Sequence, residues 1–371
     1  MVKSKIKQRA FALKNSVNLS FSTVSFALVL VLMVIGLLFV FEASSIRALN
    51  ETGDSFYYLK LQFRWVVIGL LVTFIFSKIN YRFFIPFSSI IIGVTSLMLI
   101  IVLIPYIGKT AGGARSWIDL GFINFQPAEF AKCAIILYLA SWFYRKKDVK
   151  FFSFIVFVSF VVGLVILQPD MGTSIMLFSL AISMYFLSGL SIKHLLLLLP
   201  IIFTLGSFFI VSAPYRLKRL LAFLRPDEDP LGVGFHINQI LISITEGGVF
   251  GRGFGASRQK FLFLPEAHTD SIFAIISEEI GFVGSFFIIF LFIVLLFRLY
   301  ALYTRTSEQF GKLLIGGIFT YFGLQIIINL GGMVNIMPLT GVTLPFISYG
   351  GSSMLTSCIL LGIAMNVSKE K

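Results

Sequence analysis

The side chains able to do chemistry cluster in a few short segments, each at the edge of a long apolar stretch. The densest is Leu264-Pro265-Glu266-Ala267-His268-Thr269-Asp270, directly before an apolar run. Asp caps helix N-termini well, so Asp270 could simply start the next helix. A carboxylate at a helix mouth is also a good general base if burial lifts its pKa. His268 fits a satisfied structural imidazole as well as a ligand contact, and Glu266 adds a second carboxylate. Residue types alone leave both pairs of readings open.

Two other segments share one grammar. Gln126-Pro127-Ala128-Glu129 opens an apolar run with Lys132 one turn deeper, and Gln168-Pro169-Asp170 opens another. Pro suits the first helical position and Glu129 falls near the third, so a helix start explains part of the pattern. Lys132, three residues on, shares a face with Glu129 and neutralises it, as a structural or a functional pair. Helix starts on one side would place Glu129, Lys132 and Asp170 around a single cavity. Arg115, within Gly112-Gly113-Ala114-Arg115-Ser116-Trp117, supplies a cation, with Trp117 as an interface anchor. Residues 338–353 are rich in glycine and hydroxyls, Ser352 among them, which suits irregular backbone lining a cavity.

Residues 213–270 carry Arg216, Lys218, Arg219, Arg225, Arg252, Arg258 and Lys260, nearly balanced by Asp227, Glu228, Asp229, Glu246, Glu266 and Asp270. That balance fits a solvated surface or an anion-binding face. Leu217, Leu220, Leu221 and Leu224 follow the i, i+3, i+4, i+7 rule with basic residues between them. This predicts a short amphipathic helix in the membrane interface, placing Arg216 and Arg219 beside lipid head groups. The glycine-dense run from Gly247 to Gly255 is no Walker A loop and opens no Rossmann helix, leaving close backbone approach to a ligand or another helix.

The elements that must position these residues are membrane helices. The chain is 57% hydrophobic and 13% charged, with 43 Phe; a soluble domain is about a quarter charged. Apolar runs of about 17 to 25 residues match the hydrocarbon thickness, and backbone groups in lipid must pair within their own segment. Runs such as 151–167 lack the period-two alternation of barrel strands. About ten spans result, near 20–42, 60–78, 84–104, 127–144, 151–168, 172–188, 192–212, 271–299, 312–334 and 346–366. Five basic residues in 1–19 place that N-terminal segment in the cytoplasm, and loops bearing Lys78, Arg82, Arg145, Lys193, Arg298 and Arg305 then fall inside with the C-terminus. Residues 213–270 become a large extracytoplasmic loop between spans seven and eight of a single domain, 1–371. The formal charge of +13 is scattered among spans, which argues against nucleic acid. Cys133 and Cys358 lie inside spans without metal or redox spacing and read as small core residues.

Taken in order, GARSW at 113–117, QPAEFAK at 126–132, QPDMGTS at 168–174, FLPEAHTD at 263–270, EEIG at 278–281 and PLTGVTLPFISYGGSS at 338–353 resemble the SEDS family (shape, elongation, division and sporulation) over nearly the whole chain. The resemblance implies a polytopic, GT-C-like helical bundle that polymerises lipid II on the outer face of the cytoplasmic membrane. It makes Asp270 the essential acid and puts Glu129, Lys132 and Asp170 in a central polar cavity. Arg115, Arg216, Arg219, Lys260, His268, Glu266 and Ser352 are the further candidate contacts. It also implies a class B penicillin-binding protein and other divisome proteins as partners. No cofactor is required by it, and a divalent cation such as Mg is compatible with it. Ser271 stands where relatives usually carry an aromatic residue, Arg258 where they commonly carry Gln, and Ala267 favours the division branch over the elongation branch, with sporulation members also close. The competing functions are a flippase for the same precursor and a scaffold; a transporter should show related halves, and none is evident.

Overall fold

A computed structural model of the chain describes residues 21–370, apart from 112, 120, 122–123, 147–148, 192, 195, 197–199, 201–213, 230–231 and 262. The described residues form helices α1 (Phe21–Thr52), α2 (Tyr57–Lys78), α3 (Phe84–Leu103), α4 (Pro127–Arg145), α5 (Phe151–Ile166), α6 (Met171–Leu187), α7 (Pro214–Leu224), α8 (Val233–Glu246), α9 (Ile272–Arg305), α10 (Gln309–Met333) and α11 (Gly351–Val367). Nine of these coincide with expected spans. The remaining expected span, 192–212, and the basic segment 1–19 lie largely outside the described residues. α1, α2, the stretch Tyr81–Leu103, α9 and α10 are each long and apolar enough to cross a membrane. Shorter apolar helices α5, α6 and α11 complete the bundle with α4.

α4 is the buried axis: most of its residues, from Pro127 to Phe143, are enclosed. α2 and α11 approach closely because glycines face the contact. A Cβ on Gly362 would lie 2.7 Å from the Thr73 carbonyl oxygen, and one on Gly69 would lie 2.8 Å from Cys358 Sγ. Such small-residue seams let helices pack where no hydrophobic effect drives them together. Thr73 Oγ1 donates to the Cys358 carbonyl (3.1 Å) and Gln62 Nε2 to that of Ser348 (3.1 Å), fastening the seam. Cys133 and Cys358 are both free and buried.

Two elements were not expected. A three-stranded antiparallel sheet, β1 (Gly108–Ala111), β2 (Ala114–Asp119) and β3 (Asn124–Phe125), is the one sheet among the described residues. Ala111 faces Ala114 across a turn in which Gly113 sits at φ +83°, a left-handed conformation suited to glycine. The second is a break inside α9 at Gly281 (φ 66°, ψ −167°). There the carbonyls of Glu278 and Glu279 accept from Arg252 N and Gly253 N, both at 3.0 Å. Phe282 N and Val283 N donate to the carbonyls of Gly248 (2.9 Å) and Val249 (3.1 Å). The glycine-dense run is therefore the structure that satisfies a broken helix. Side chains on Gly247, Gly251 or Gly281 would collide with backbone across this contact. Of its two expected roles, close approach to a helix is the one observed.

The loops expected together on the basic side meet at one end of the bundle. Tyr81 OH bonds Glu308 Oε2 (3.2 Å) and Glu370, Arg82 pairs with Glu370 (2.6 Å), and Lys369 reaches the Ser77 carbonyl (2.5 Å). The candidate residues occupy the opposite end.

Candidate active site

Asp270 is not the cap of α9. The cap position is Ser271, whose side chain caps nothing there; its Oγ lies 2.8 Å from His236 Nε2 on α8. Asp270 instead presents its carboxylate from a tight turn in which Thr269 N and Ser271 N donate to the Glu266 carbonyl (3.1 and 3.2 Å). The Thr269 hydroxyl sits 3.0 Å from Glu266 Oε2 and 3.1 Å from Asp270 Oδ1. Burial pushes the Asp270 carboxyl up to about 6; the negative charge of Glu266 adds to this, while the Thr269 hydrogen bond and the Arg219 charge oppose it. The simple helix-start reading is excluded, and burial holds the carboxyl above the usual carboxylate range.

The turn is held from α10. Asn329 Nδ2 donates both to the Asp270 carbonyl (2.9 Å) and to that of Val342 (2.8 Å), tying the turn to the segment 338–350. Gly341 of that segment lies against the Asp270 carboxylate: a Cβ there would be 3.8 Å from Oδ2. Gln325, one turn before Asn329, donates to Ser353 Oγ and the Thr343 carbonyl, both at 3.1 Å. Ser352 Oγ accepts from Gln126 N (3.0 Å), and Gln126 Nε2 donates to Asp170 Oδ2 (3.2 Å). A continuous polar path thus runs from the Asp270 turn to the starts of α4, α6 and α11. Neither Asn329 nor Gln325 was anticipated, although two amides four residues apart in an apolar helix are the signal that finds them.

The two Gln-Pro-acid segments do converge, through Gln126 rather than Glu129. Asp170 is the N-cap of α6, accepting from Thr173 N (3.0 Å) and Thr173 Oγ1 (2.9 Å). Glu129 and Lys132 form an ion pair of 2.6 Å with side chains 8% and 0% exposed. Glu129 Oε2 has no partner, so the pair is neutral but incompletely satisfied. Arg115 is half-buried in β2, its backbone N–H bonded to the Gln168 carbonyl (3.1 Å). Arg216 and Arg219 lie half-buried on α7, the amphipathic helix expected from the leucine spacing.

Lys260 departs from its expected place. It is 8% exposed and pairs with Glu42 of α1 (2.7 Å), Glu279 of α9 (3.4 Å) and the Gly255 carbonyl (2.7 Å). Beside it, buried Glu278 accepts from Ser257 Oγ (2.6 Å) and Arg258 N (2.8 Å). Its charge is consumed in clamping the glycine-dense loop to α1 and α9. His268 is 4% exposed, lying 4.5 Å from the Tyr58 ring and 5.4 Å from that of Tyr349. Burial, then the charge of Arg47, pushes its imidazole down to about 4, so it is neutral at physiological pH. Among the described residues no group of three or more His, Cys, Asp or Glu side chains is placed to hold a metal ion.

Fold and site together define a multi-pass membrane protein with a buried carboxylate, Asp270, in a polar cluster at one end of its bundle. A family model described as "Cell cycle protein", covering FtsW, RodA and SpoVE, matches residues 22–371. Stage V sporulation protein E of Bacillus subtilis (strain 168) is 39% identical, over 92% of this chain and 94% of that protein. The probable peptidoglycan glycosyltransferase FtsW of Trichlorobacter lovleyi is 36% identical, over 94% of each. Among solved structures, a chain from a study titled "Structural coordination of polymerization and crosslinking by a peptidoglycan synthase complex" superposes with a TM-score of 0.77 at 28% identity, covering 93% of this chain and 97% of that one. The rod shape determining protein RodA of Thermus thermophilus gives 0.68 at 28% identity, covering 93% and 96%. This chain belongs to the FtsW/RodA/SpoVE family, the SEDS proteins, which are bacterial multi-pass membrane proteins.

Proposed function

We propose that the chain is a peptidoglycan glycosyltransferase that polymerises lipid II into β-1,4-linked glycan on the outer face of the cytoplasmic membrane, in septal wall synthesis. The observation that carries this reading is the Asp270 carboxylate, uncommitted to helix capping and with its pKa lifted to about 6. Asp270 takes the proton of the acceptor sugar hydroxyl as that oxygen bonds to the donor's anomeric carbon. The bond from that carbon to the pyrophosphate oxygen breaks, and its electron pair leaves with undecaprenyl pyrophosphate. A single displacement inverts an α-linked donor to a β-linked product, needing one base and no covalent intermediate. Arg216 and Arg219 on interfacial α7 favour departure of the pyrophosphate, since fixed cations stabilise charge where it develops. Lys260 is not assigned this role. The chemistry proposed here uses no metal.

Both termini are cytoplasmic in this reading, from the basic loops that meet at the end opposite Asp270. A class B penicillin-binding protein supplies crosslinking, as the pairing of polymerization and crosslinking in the similar complex supports. The test is glycan-chain formation from purified lipid II with that partner present, wild type against Asp270→Asn. Polymer from wild type alone supports the assignment. Equal polymer from both removes Asp270 from the chemistry, and none from either favours a flippase or scaffold.

A further inference from the structure

The Asp270 turn has a second anchor, from α8, that the mechanism above does not use. His236, Ile240, Ser243 and Gly247 recur at i, i+4, i+7 and i+11 along α8 and its C-cap, so they share one face. Ile240 and Ser243 are buried, and a Cβ on Gly247 would lie 1.9 Å from the Ser277 carbonyl oxygen, which sets that face against α9. In this register His236 meets the start of α9, its Nε2 lying 2.8 Å from Ser271 Oγ. Pro265 has no N–H, so its backbone meets the same imidazole through the carbonyl. His236 thus engages the segment 265–271 on both chain sides of Asp270.

α8 is itself held at both ends. A Cβ on Gly234 would lie 2.2 Å from the Pro226 carbonyl oxygen, and Gly248 and Val249 are bonded into the break of α9. Burial, helped by the Arg219 charge and opposed by that of Glu266, pushes the His236 imidazole down to about 4. The ring is neutral at physiological pH, so what it offers Ser271 is a hydrogen bond and no charge. That bond keeps Ser271 from capping its own helix. Serine is among the strongest N-cap residues, and a capping serine takes extended backbone so that its oxygen accepts from an N–H two or three residues on. Ser271 occupies the cap position, fully buried, yet holds φ −93° and ψ 8° with its hydroxyl on His236. Released, the hydroxyl would turn to the N–H groups of α9 that no side chain caps, and the change in Ser271 backbone would move the adjacent Asp270.

Resting on the glycosyltransferase reading, we infer that His236 is a positioning residue for the reaction: by holding the Ser271 hydroxyl away from the end of α9, it fixes the turn from which Asp270 works. It acts through Ser271 and not on the reacting atoms.

Two readouts on the full chain in lipid nanodiscs test this: steady-state kinetics on lipid II with the crosslinking partner present, and hydrogen exchange of residues 265–272. His236→Ala should lower kcat about tenfold with KM little changed, and speed exchange of 265–272 about tenfold while α2 and α11 stay protected. His236→Gln keeps a hydrogen-bonding group near the Nε2 position and should hold kcat within about threefold of wild type. His236→Phe keeps the ring alone and should behave as His236→Ala. Adding Ser271→Ala to His236→Ala should restore most of the loss, because alanine cannot cap. A role in filling space predicts the reverse: Phe better than Gln, and the double variant worse than the single. Either of those orders, an unchanged kcat in His236→Ala, or unchanged exchange of 265–272 would overturn the assignment. Its failure with wild-type polymerisation intact leaves the enzyme reading standing. Exchange raised by His236→Ala and reversed by Ser271→Ala, with no polymer from wild type, sustains the anchor and removes the enzyme reading.

Discussion

Replacing Gly281 by alanine tests whether the break in α9 is what seats the loop leading to Asp270. The residue holds φ 66° and ψ −167°, a region that costs a non-glycine residue about 1–3 kcal/mol. An added Cβ would also collide with the backbone of Phe250 and Gly251. Relief requires the loop to withdraw, loosening four backbone hydrogen bonds between 248–253 and 278–283. At about 1 kcal/mol each, losing half of them brings the total to roughly 3–5 kcal/mol. For a chain of this size that lowers Tm by roughly 6–10 °C, at about 2 °C per kcal/mol. Thermal unfolding in nanodiscs reads the shift, and lipid II polymerisation should fall with it, because Ser257 and Lys260 are anchored to Glu278 and Glu279. A Tm within 2 °C of wild type with full polymerisation, on the order of the assay's precision, would refute the reasoning.

Other outcomes follow from the same geometry. The polymerisation rate should rise with pH through about 6 as Asp270 loses its proton, then level off; Asp270→Glu should shift that limb. Stability should run the opposite way: with its folded pKa raised, Asp270 stabilises most below about pH 4 and loses that contribution as pH rises through about 6, so Asp270→Asn should flatten the thermal-melt pH profile. Lys260→Met leaves Glu42 and Glu279 facing each other in a buried site and should cost about 3–5 kcal/mol, largely recovered in Lys260→Arg, as unfolding midpoints would show. Asn329→Ala removes both carbonyl contacts that hold the Asp270 turn and should lower kcat about tenfold with KM little changed, which steady-state kinetics would separate.

Apolar run length and charge alternation located the described spans to within a few residues, except that α1 continues to Thr52 and α9 to Arg305. The leucine spacing located α7, because amphipathic helices carry their own periodicity. What escaped depends on contacts distant in the chain. Lys260 looked available for an anion because its partner Glu42 lies in α1, 218 residues away. The Gly281 break was invisible within one expected span, since the groups that satisfy it come from 248–253. The hairpin at 108–119 was written locally, in a Gly-Gly turn flanked by Thr110 and Trp117, and was obscured by the membrane pattern around it. Residue types left Asp270 open between a helix cap and a base, and the placement of Ser271 at the cap of α9 removes the first of these readings.

The most direct test remains the product itself. Purified wild-type protein with its cognate crosslinking partner should convert lipid II into β-1,4-linked glycan chains, and a well-folded Asp270→Asn protein should make none. Equal polymer from the two, or an α-linked product, would contradict Asp270 as the base of an inverting glycosyl transfer.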